Sequence, residues 1–132
     1  MRASYGARCF GFVRRSGAAL MLSLTIQYRD PNRPDTRLPP TLQHALEMYW
    51  QRLAENLQLG MLSKVGNLFI HDRAEAQELL AELKILDAFL EHSDQTDVTE
   101  LVSHYMRVRI SQIAPLVEAA ILEWDAVECL SI

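Results

Sequence analysis

HDRAEAQELLAELKILDAFLEH, residues 71–92, is the stretch whose reading decides the fold. Asp72 can accept a hydrogen bond from a free amide of a first helical turn, and Glu75 follows three residues later. The pair makes an aspartate form of the capping box and sets acidic charge where the helix dipole favours it. Ala76, Leu79, Leu83, Leu86 and Leu90 then recur at steps of three and four, so at 3.6 residues per turn they share one side. That side is expected to be buried. Glu75, Glu78 and Glu82 run along one flank of the stripe, and the same flank continues as Ile85 and Phe89.

Beyond this helix, HSDQTD reads as a turn, and Asp97 followed by Glu100 repeats the cap pattern. A further helix is expected with Val98, Leu101, Tyr105 and Val108 inward. Proline costs about 3 kcal/mol in a helix interior but fits a first turn, so Pro115 is read as opening a new helix capped by Ser111. Its inner face would be Ile113, Leu116, Val117, Ala120, Trp124 and Val127. Leu130 and Ile132 would pack as a short extended tail.

Toward the N-terminus, residues 61–70 read either as a lead into the central helix or as a short strand, over 67–70, pairing with residues 22–28. Residues 41–59 carry Leu42, Leu46, Tyr49, Trp50, Leu53 and Leu57 at helical spacing, with Gly60 as the stop signal. Both tryptophans are read as core, because aromatic burial is a large source of core stability. In RDPNRPDTRLPP, four prolines remove backbone donors and bar any helix or central strand, which predicts a loop, extended in part. Leu22, Leu24, Ile26 and Tyr28 alternate with polar residues, the period of a half-buried strand. Residues 1–20 hold four arginines and no acidic residue and show no sustained apolar period. They are expected to be a flexible basic extension, with Met21 as the start of a single acidic helical domain over residues 21–132.

The whole chain of 132 residues carries a formal charge of −4, which hides this asymmetry. Setting those four arginines apart leaves nine basic residues against 17 acidic ones, so residues 21–132 carry −8. Such a body repels phosphate, and Arg29, Arg33 and Arg37 are interleaved with Asp30 and Asp35, so no nucleic-acid binding is expected. No run spans a bilayer, and no membrane role is expected. Cys9 and Cys129 lack metal-type spacing, and a reducing, cytoplasmic setting is the simpler expectation; a disulfide joining the two ends stays open.

Catalytic equipment is sparse. Ser103 and His104 are adjacent and do not face each other on a helix, Glu128 beside Cys129 would raise the thiol pKa, and five scattered glycines make no phosphate loop. No Glu-x-x-His pair of the di-iron type occurs. Neither catalytic residues, a metal nor a cofactor is therefore expected. The alternative is a small enzyme or metal-binding helical protein using His44, Glu47, Glu100 and His104.

Between residues 67 and 100, nine acidic side chains face only Arg73 and Lys84. An acidic face of this kind steers a basic protein partner, and apolar neighbours anchor it. The expected partner-binding residues are Asp72, Glu75, Glu78, Glu82, Ile85, Phe89 and Asp94, and dimerisation through Ile85 and Phe89 stays open. The expected fold is a compact, mainly α bundle of about four helices with a short N-terminal strand, part of a two-stranded element if residues 67–70 pair. The expected function is non-catalytic binding: an immunity-type inhibitor masking a basic partner such as a toxin, or a chaperone for a secreted effector.

Overall fold

The computed structural model describes residues 23–39, 44–65, 67–92 and 100–132, with only the backbone for residues 44–49, 100 and 101. In chain order these form β1 (Leu24–Tyr28), β2 (Thr36–Leu38), α1 (His44–Asn56), a 3-10 turn (Leu62–Lys64), β3 (Phe69–Ile70), α2 (Arg73–His92), α3 (Glu100–Leu122), a second 3-10 turn (Trp124–Ala126) and β4 (Val127–Ser131). The expected four-helix bundle is wrong. Among the described residues the chain has three helices and a four-stranded antiparallel sheet in the order β2-β1-β4-β3, although helix still predominates. The basic extension over residues 1–20, the Asp97 cap and Val98 lie outside the described residues.

α2 forms as its sequence implies. Glu75 N donates to Asp72 Oδ1 at 2.8 Å, and the Glu75 carboxylate reaches back to accept from His71 N at 3.2 Å. Ala76, Leu79, Leu83, Leu86 and Leu90 are all buried. They pack against α3, whose inner face is Met106, Ile110, Ile113, Val117 and Ala120. The two helices run antiparallel, since Ser103 Oγ meets Leu90 O at 3.3 Å and Arg107 Nε meets Asp87 Oδ1 at 3.1 Å.

Two expectations for this region fail. Tyr105 and Val108 are each 40% exposed, so the inward stripe of α3 is displaced from the one expected. The chain also forms one helix from Glu100 through Pro115 to Leu122, not two. Pro115 and Ser111 both lie on the exposed side, where water can satisfy the Ser111 carbonyl that loses its donor. Burial of Ile113, Val117 and Ala120 on the opposite side offsets the remaining cost.

The C-terminal residues, expected as a packed tail, are the second central strand. β4 pairs with β1 on one side and β3 on the other, so β3 joins β4 and not residues 22–28. Leu24, Ile26, Tyr28, Leu68, Ile70, Val127, Leu130 and Ile132 share one core with the helices. The register shifts opposite Gln27 and Tyr28, which pair with Cys129 and Val127 and leave Glu128 as the extra residue of a bulge. Thr25, Gln27, Cys129 and Ser131 take the other face and are buried as well, so β1 is covered on both sides and not half-buried. Cys129 is disulfide-bonded; Cys9 lies outside the described residues.

Among the described residues, the proline-rich loop is extended at β2, an edge strand between Pro34 and Pro39, where proline removes no interior ladder bond. Tyr28 Oη and Thr36 Oγ1 are 2.6 Å apart, and the Arg33 guanidinium lies 3.6 Å from the Tyr28 ring centroid. Arg33 also grips Glu123 through two bonds of 3.1 and 2.9 Å, fastening this hairpin to the end of α3.

α1 ends on Gln58, not on Gly60. Gln58 has φ of 60°, Leu59 N donates to Ala54 O at 2.7 Å and Gln58 N donates to Glu55 O at 3.1 Å, which is a Schellman motif. A side chain in the left-handed region carries a steric cost that glycine escapes. Gln58→Gly is therefore expected to raise unfolding free energy by about 0.5 to 1 kcal/mol in urea denaturation; destabilisation would contradict the assigned cap.

The bond from Arg33 holds the Glu123 carboxyl below its ordinary pKa, outweighing the opposing effect of burial. This contribution to stability is present above the ordinary carboxylate pKa and is lost as pH falls through the lowered value. Both side chains are well exposed, so the effect is small. The stability difference between the native chain and Glu123→Gln is expected to be constant above about pH 6 and to close below about pH 4, as read from urea midpoints across pH.

Candidate functional site

α2 separates its acidic residues into two flanks, and the structure treats them differently. On the flank facing α3, Arg107 takes Asp87 at 3.1 Å and lies 3.9 Å from Glu91. The bond to Asp87, with the attraction of both carboxylates, raises the Arg107 pKa further and keeps it charged. Arg107 thus offsets one of the two carboxylates on this flank. A cleft of about 510 Å³ lies beside it, lined by Glu91, Ser103, His104, Arg107 and Ser111.

The other flank faces the connection between α1 and β3. Glu82 does not join a water-facing surface: it is 7% exposed, and its carboxylate accepts from Leu62 N at 2.9 Å and from Met61 N at 3.1 and 3.2 Å. These amides begin the first 3-10 turn, where no earlier turn supplies them with carbonyls. Glu82 thus ties the connection down onto α2, while Leu59, Leu62 and Leu68 from the same connection enter the core.

The tie leaves a groove of about 700 Å³ between the connection and the first turns of α2. Met61, Leu68 and Phe69 give it apolar walls, and Glu75 and Glu78 line it from α2. Glu75 is partly engaged through His71 N, whereas Glu78 is exposed and bonds to no side chain among the described residues. Lys64 and His71 also border the groove, so its acidity is local to the α2 wall.

Of the expected partner-binding residues, Glu75 and Glu78 meet at this groove and Asp72 stands exposed at the helix start, bonded to Glu75 N. Ile85 is 50% exposed. Phe89 is half-buried and packs against the core, which leaves less of it for a partner. Asp94 lies outside the described residues. Sequence reading missed Met61, Leu68 and Phe69, because nothing in residues 61–70 signals that they will flank a helix placed by Glu82.

Among the described residues, no group of three or more histidine, cysteine, aspartate and glutamate side chains is placed to hold a metal ion. His104 is exposed on α3, edge-on to Tyr105 at 5.8 Å; the side chains of His44, Glu47 and Glu100 lie outside the described residues. Within the described residues, no helix is long and apolar enough to cross a membrane. Comparison with family models, with curated proteins and with solved structures finds no match.

Removing the Glu82 carboxylate leaves two amides without acceptors in a poorly hydrated place. Glu82→Ala is expected to lower unfolding free energy by about 2 to 4 kcal/mol, and Glu82→Gln, which keeps one acceptor oxygen, by less. Chemical denaturation measures both; a loss below about 0.5 kcal/mol for the alanine variant would remove Glu82 from its structural role.

Proposed function

We propose that this domain binds another protein, taking a basic segment of it into the groove between the α1–β3 connection and α2. The supporting observation is Glu78, an exposed carboxylate without a side-chain partner among the described residues, standing with Glu75 beside apolar Met61, Leu68 and Phe69. A lysine or arginine entering there meets negative charge on one wall and covers apolar surface on the other, so charge brings the partner in and burial holds it. Ile85, exposed further along α2 beyond the Glu82 tie, offers a separate apolar contact.

Two roles fit such a domain: an immunity-type inhibitor that masks a basic partner such as a toxin, and a chaperone that keeps a secreted effector bound. Neither needs catalytic groups in this chain. The surface available is smaller than the sequence implied, because Asp87 is paired with Arg107 and Glu82 serves the fold. The disulfide at Cys129 fits an oxidising compartment better than a reducing cytoplasm.

The test is a titration of the isotopically labelled chain with a lysine- and arginine-rich peptide at low ionic strength, followed by amide chemical shifts. Shifts are expected around Ser63, Leu68, Phe69, Glu75 and Glu78. Glu78→Lys is expected to slow association about tenfold without lowering stability, since Glu78 holds nothing in the fold. Shifts confined to the cleft around His104 and Arg107, or equal association by the lysine variant, would overturn the proposal.

A further inference from the structure

We draw no further inference here: the strongest candidate, the face of the sheet that carries Thr25, Gln27, Cys129 and Ser131 on the side away from the helices, is buried, and nothing in the structure shows what covers it.

Discussion

Two amides at the start of a 3-10 turn need acceptors, and a glutamate twenty residues further along the chain supplies them. The contact between Glu82 and the amides of Met61 and Leu62 fixes where the α1–β3 connection crosses α2. Charged acceptors make such bonds stronger than neutral ones, and burial makes their loss expensive. Leu59 and Leu62 enter the core on one side of the tie, and Leu68 leads the chain out into β3 on the other. Helix packing and strand placement are thereby joined through one carboxylate.

The sheet imposes the complementary constraint. β1 and β4 come from distant parts of the sequence and lie side by side at its centre, with β3 seated on β4. Among the described residues, the chain between them adds β2 and β3 to the sheet edges and builds three helices that share its core. α2 and α3 form the largest helix contact of that layer. The groove lies where the layers meet beside the connection, so its walls are set by the fold and not by a free loop.

Regularity decided which parts were legible. The α2 stripe keeps helical spacing for five residues, and the alternation of Leu24, Ile26 and Tyr28 keeps strand spacing, so both elements stand out. β4 hides because its bulge at Glu128 puts Val127, Leu130 and Ile132 on the core side at unequal intervals. Val127 also lies three residues after Trp124, which imitates helical spacing. Pro115 argued for a helix boundary, yet on an exposed side its missing donor leaves a carbonyl that water can reach. The acidic flank was legible as charge but not as function. The difference between Glu78, which faces water, and Glu82, which faces backbone amides, depends on a segment with no periodicity of its own.

Hydrogen exchange at the Leu62 amide tests this account most directly. Its acceptor is Glu82 Oε1, so its protection reports that bond. The amide is expected to exchange as slowly as core amides of α2 such as that of Leu83, and to lose most of that protection in Glu82→Ala while the α2 amides keep theirs. Exchange at the rate of an open loop in the native chain, with α2 fully protected, would show that the carboxylate does not hold the connection and that the groove is not a fixed feature of the fold.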